Sequence, residues 1–160
     1  MRYIINIMGP MAVGKSTVIG ELKDYLPHYE VLAIDDYRRH YSDGTPEGEM
    51  KAWGEMYLAA ARIDRIIVES SGTSHNLKLL IESLTGAVIH VELNANVLIR
   101  TKRKEEREAA GYQKPPIYFD TIWFIERPTV YRDVLGIYTD KPPYEVAAEI
   151  IESLPGGFME

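Results

Sequence analysis

The chain of 160 residues contains no cysteine. That excludes disulfides, thiolate metal centres and a cysteine nucleophile, and it fits a reducing, cytoplasmic setting. There is no run of 18 apolar residues, so no membrane-spanning helix is expected. The short apolar stretch Tyr3–Met8 holds Asn6 and ends at Gly9, which does not read as a secretory leader. Basic charge is not in excess either: the formal net charge is −6. A protein that grips duplex DNA over many phosphates is usually basic, so any contact with nucleic acid here requires a local basic site. No repeat, low-complexity tract or linker interrupts the chain, and residues 1–160 read as one domain.

What is present is an alternation of strands and helices. "YIINIM" (3–8) reads as a strand buried on both faces. Val18, Ile19, Leu22 and Leu26 recur at helical spacing from Lys15 to Leu26, and Pro27 stops that helix. "EVLAID" (30–35) predicts a second strand. Residues 43–48 form a turn-rich loop, and 47–62 a helix with Met50, Trp53, Tyr57 and Ala61 on one face. "RIIVES" (65–70) and "AVIHVEL" (87–93) are further strands, separated by a helix striped with Leu77, Leu80, Ile81 and Leu84. A charged helix spans 95–109 and could end at Gly111. A helical stretch near 117–127 carries Trp123, Phe124 and Ile125 in succession. "VLGIYT" (134–139) is a fifth strand, and the last helix opens at Pro142 and Pro143. The pattern predicts an α/β fold of three layers, a five-stranded parallel sheet with helices on both faces.

Between the first strand and the first helix stands "GPMAVGKST" (9–17). Gly9-x4-Gly14-Lys15-Ser16 is the P-loop, or Walker A, pattern in its proper strand-to-helix context. Glycines let the backbone wrap so that its N–H groups face phosphate oxygens, and the positive end of the following helix adds to that field. Gly9, Ala12, Val13, Gly14, Lys15, Ser16 and Thr17 are therefore the expected nucleotide-binding residues. Lys15 is expected to reach the β- and γ-phosphates of ATP, and Ser16 to ligate Mg²⁺. The guanine motif N-K-x-D of switch GTPases is absent. A motor ATPase would want an apolar strand ending in Asp-Glu, and the nearest here is "IIVES", ending at Glu69 and Ser70. Small size and an arginine-rich late helix favour a kinase.

"AIDDYRRHY" (33–41) brings two carboxylates to the end of the second strand, the edge where open α/β sheets bind ligands. A kinase needs a carboxylate there to accept the proton of the attacking hydroxyl. Arg38 could hold an acceptor phosphate, with Asp36 beside it. In "LIRTKRKEER", Arg100, Arg103 and Arg107 share one helix face, and a cationic face could close over the triphosphate. Arg103 and Arg107 are the candidates for that role, in a lid covering about 100–118. Glu69 is a candidate for a supporting place near the metal, and His75 for substrate contact. His28, His40 and His90 show no metal-ligand spacing. Trp53 and Tyr57 could stack a base, although their spacing with Met50 favours the core.

Taken together, Gly9-x4-Gly14-Lys15-Ser16-Thr17 and Asp35-Asp36-Tyr37-Arg38 resemble the kinase domain of phage polynucleotide 5′-hydroxyl kinases. The resemblance covers the nucleotide-binding core. It implies that Asp35 is the general base, that Arg38 holds a phosphate of a nucleic-acid acceptor, and that the 100–118 segment is the lid. It also places the adenine ring near "IYTDKPP" (137–143). Related phage kinases act on hydroxymethylated pyrimidines in DNA. Two departures stand out: no phosphatase domain is appended, and the net charge is acidic. The reading is an ATP- and Mg²⁺-dependent kinase expected to act on a hydroxyl of a nucleic acid, with DNA as the expected acceptor. The alternative is a small-molecule kinase for a nucleoside, nucleotide or metabolite. A binding module without phosphotransfer is the third reading.

Overall fold

The computed structural model describes residues 1–118, 131 and 133–160. Its elements follow the expected order: β1 (Tyr3–Met8), α1 (Lys15–Tyr25), β2 (Glu30–Ala33), α2 (Ile34–Tyr41), α3 (Pro46–Ala60), β3 (Arg65–Ser70), α4 (His75–Ser83), β4 (Ala87–Asn94), α5 (Val97–Ala109), β5 (Leu135–Tyr138) and α6 (Pro143–Ser153). The five strands form one parallel sheet in the order β2-β3-β1-β4-β5. The expected helical stretch near 117–127 lies, from residue 119 on, outside the described residues. No helix among the described residues is long and apolar enough to cross a membrane.

The pleat of β1 explains the two cores. Ile5 and Ile7 face one side and pack with Val18, Leu22, Val146 and Ile150 of α1 and α6. Ile4 and Met8 face the other and pack with Ala52, Met56, Leu77 and Leu80 of α3 and α4. Successive side chains of a strand point to opposite faces, so a run apolar at nearly every position must be covered twice. Because every strand is parallel, all five C-terminal ends lie along one edge. Met8 pairs with Ser70, and Ala33 with Glu69, so the exits of β1, β2 and β3 sit side by side.

Two expectations are corrected. The second strand stops at Ala33 rather than at Asp35, and Ile34–Tyr41 turn at once into α2. Asp35 and Asp36 thus occupy the first helical turn, where the helix dipole favours carboxylates. They also face Arg38 and Arg39 at the i,i+3 spacing only a helix provides. The buried face of α3 is Glu49, Ala52, Trp53, Met56 and Ala60, whereas Met50 and Tyr57 are exposed and Ala61 caps the C-terminus outside. Glu49 turns inward to Arg38 of α2, and Trp53 and Met56 enter the core on the same face, which leaves Met50 and Tyr57 exposed. Trp53 belongs to the core, as its spacing favoured.

Candidate active site

The phosphate loop is built by positions that exclude other residues. A Cβ on Gly9 would stand 2.7 Å from the carbonyl oxygen of Leu93 on β4. Gly14 has φ 100°, and Ala12 takes a left-handed φ of 61°, a conformation that costs energy without glycine. Gly14 is the N-cap of α1 and offers no side chain to its amides, and the first turn holds no acidic residue. The helix therefore presents N–H groups and positive potential to an anion. The fit to a nucleotide phosphate is good on these grounds. Lys15 Nζ donates to the carbonyls of Gly9 at 2.7 Å and Pro10 at 3.2 Å, folded back along its own loop.

Lys15 lies among carboxylates. Burial lowers its pKa, and the charges of Glu69 and Asp35 act against that, with Arg107 adding to the lowering. Burial raises the pKa of Glu69, against the pull of Lys15. Lys15, Glu69 and Asp35 thus share one electrostatic neighbourhood at the exits of β1, β3 and β2. Among the described residues no group of three or more His, Cys, Asp or Glu could hold a metal. The exposed Ser16 hydroxyl, beside Lys15, could hold Mg²⁺, with waters and substrate oxygens completing its shell.

The expected acceptor residues separate. Asp35 is held by Arg38, whose Nη1 donates to its Oδ1 at 3.0 Å. The Asp36 side chain is 77% exposed, with Arg39 3.9 Å away. Arg38 is buried, and most of its donors are already engaged: Nε and Nη2 both reach the carboxylate of Glu49, the closest contact being 2.7 Å. Trp53 Nε1 donates to the same Glu49 carboxylate at 2.9 Å.

The arginines of α5 also part ways. Arg103 donates to the carbonyl of Val13 at 2.8 Å and to the carbonyl of Thr139 at 2.8 Å. Thr139, buried at the end of β5, donates its hydroxyl to the same Val13 carbonyl at 2.6 Å. Arg107 lies over the ring of Tyr112, 3.9 Å from its centroid. Arg39 of α2 approaches that ring to 5.5 Å and donates to the Gln113 carbonyl at 3.1 Å. Arg100 turns back to the carbonyl of Ala95 at 3.3 Å. Gly111, at φ 92°, ends α5 as expected. His75 opens α4 behind its N-cap Ser74. Sequence reasoning missed Glu49, Thr139 and Tyr112; the only signal was the position of Thr139 at a strand exit.

The loop from Ala12 to Thr17 lines a cleft of about 1160 Å³ together with Asp35, Arg38, Glu49, Glu69, Arg103 and Arg107, whereas Gly9, Trp53, Arg100 and His75 do not. No family model and no curated protein matches the chain. Solved structures do. A protein from Chloroflexus aurantiacus thought to be a kinase superposes with a TM-score of 0.71 at 18% identity, over 96% of this chain and 99% of its own. A gluconokinase from Sinorhizobium meliloti 1021 gives 0.66 at 18% identity, over 95% and 92%. The APS kinase of Mycobacterium tuberculosis, bound to AMPPNP and APS, gives 0.66 at 16% identity, over 94% and 96%. This is the P-loop NTPase fold. At such identities the likeness carries the fold alone.

Proposed function

We propose that the protein is an ATP- and Mg²⁺-dependent kinase that phosphorylates a hydroxyl of a small molecule. The observation that carries this is the cleft lined by both the Lys15 loop and Asp35, close enough for the charge of Asp35 to act on Lys15. In support, two of the superposed structures are a gluconokinase and an APS kinase. The net charge of −6 also weighs against a long phosphate-lined acceptor.

Bound Mg²⁺–ATP would supply the phosphoryl group and part of the charge neutralisation. The chain does the rest. The loop amides and the α1 N-terminus cradle the phosphates, and Lys15 leaves the Gly9 and Pro10 carbonyls for phosphate oxygens. Asp35 takes the proton of the acceptor hydroxyl as its oxygen bonds to the γ-phosphorus and the bond to the β-phosphate oxygen breaks, releasing ADP. Arg107 lies near enough to Lys15 to be felt by it, and is placed to stabilise charge that develops in that step.

A nucleic-acid hydroxyl is the second reading, favoured by the Asp35-Asp36-Tyr37-Arg38 stretch. The deciding experiment measures acceptor-dependent ADP formation with a panel of nucleosides, sugars, metabolites and 5′-hydroxyl oligonucleotides. A small molecule used more efficiently than any oligonucleotide is the expected result. An oligonucleotide preferred to every small molecule would establish the second reading, and ATP binding with no acceptor dependence would leave a binding module.

A further inference from the structure

Glu49 is a buried carboxylate in the first turns of α3 that borders the cleft. Its partners are all donors: Arg38 through Nε and Nη2, and the indole of Trp53. The remaining face of Arg38 is spent on Asp35. One cation is therefore shared between two carboxylates, and the side chains of Arg38 and Glu49 are 10% and 7% exposed. A paired guanidinium this deeply buried cannot turn toward a ligand without leaving Glu49 as an uncompensated charge.

We propose that Glu49 is a positioning residue for Asp35, acting through Arg38, and that Arg38, with its charge shared between these two carboxylates, is not a binding group for an anionic acceptor. This rests on the kinase reading above. The planar fork of Arg38 grips Glu49 with two nitrogens and Asp35 with a third, so the carboxylate of Asp35 is held relative to α3 rather than to its own helix alone. A general base must be held within hydrogen-bonding reach of the proton it removes, and a small misplacement is costly in rate.

The test uses the full chain, ATP and an acceptor found in the panel above, with the phosphate ester or carboxylate analogue of that acceptor as its anionic counterpart. Glu49→Gln should lower kcat by roughly 10²-fold, within the range for a compromised general base, and leave the KM for ATP within about twofold. It also frees Arg38, so the anionic counterpart should bind about tenfold tighter as an inhibitor competing with the acceptor, the gain of one charge-assisted contact. A purely structural Glu49 would not move the kcat and KM apart or create anion affinity. Should Glu49→Gln fail to fold, the double variant Arg38→Gln with Glu49→Gln, which buries no unpaired charge, should fold and show the same loss of kcat. Wild-type kcat in either folded variant would overturn the proposal. So would a double variant whose loss lies in the KM for the acceptor rather than in kcat, an outcome that returns Arg38 to substrate binding and leaves the kinase reading standing. A chain that consumes no ATP with any acceptor would sink both.

Discussion

Arg103 reaches across from α5 to the carbonyl of Val13, 2.8 Å away and inside the phosphate loop. A residue expected to swing with a lid instead ties its helix to the floor of the nucleotide site. Thr139 makes the tie threefold by donating to the same carbonyl. Arg103→Ala should therefore weaken binding of a non-hydrolysable ATP analogue by about tenfold, the worth of one charge-assisted hydrogen bond. Thr139→Val should weaken it less, by a neutral bond worth about 1 kcal/mol. Titration of a fluorescent analogue checks both. An Arg103→Ala variant with full affinity and reduced kcat would return Arg103 to the transition state.

Asp35 and Asp36 can be told apart by rate. Asp35→Asn should lose about 10²–10⁴-fold in kcat while keeping ATP affinity, since an amide cannot take the proton. Asp36→Asn should stay within twofold, because its carboxylate is mostly in solvent and loosely paired. Steady-state kinetics on both variants decides the assignment, and a dead Asp36→Asn enzyme would reverse it.

Tyr112 holds Arg107 by its ring face. Tyr112→Phe should retain turnover, because the contact needs only the π face. Tyr112→Ala should lower kcat more than it raises the KM for ATP, by roughly threefold to thirtyfold, corresponding to a cation–π contact of about 0.5–2 kcal/mol. Equal losses in both aromatic and aliphatic variants would show that the hydroxyl, not the ring, matters.

Glu69 links stability to pH. Burial raises its pKa above the ordinary 4.5, so the folded protein binds this proton more tightly than the unfolded chain does. Its contribution is fully present below pH 4.5 and is lost as pH rises through the folded value. Glu69→Gln carries no such proton. The melting temperature of the wild type, compared with that of Glu69→Gln, should therefore fall as pH is raised from 4.5 toward neutrality. A constant difference across that window would mean that Lys15 fully offsets the burial of Glu69.

The amino-acid sequence alone determined the order of strands and helices, the parallel sheet and the phosphate loop. Those features depend on periods of two and 3.6 and on glycines within nine consecutive positions, all of them local. It placed Asp35 at the β2 exit but not in a helix, because "AIDDY" has no apolar alternation to mark where the strand ends. Tertiary structure decided the rest. Arg38 meets Glu49 eleven residues away, and Arg103 meets Val13 ninety residues away. No spacing rule connects such pairs. The face that α3 buries is the one on which Glu49 meets Arg38 of α2 and Trp53 and Met56 meet the core, and that leaves Met50 and Tyr57 exposed. Whether an arginine is free to bind an anion or is already paired depends on which carboxylates the packing brings to it. That is a property of the folded chain and not of any segment.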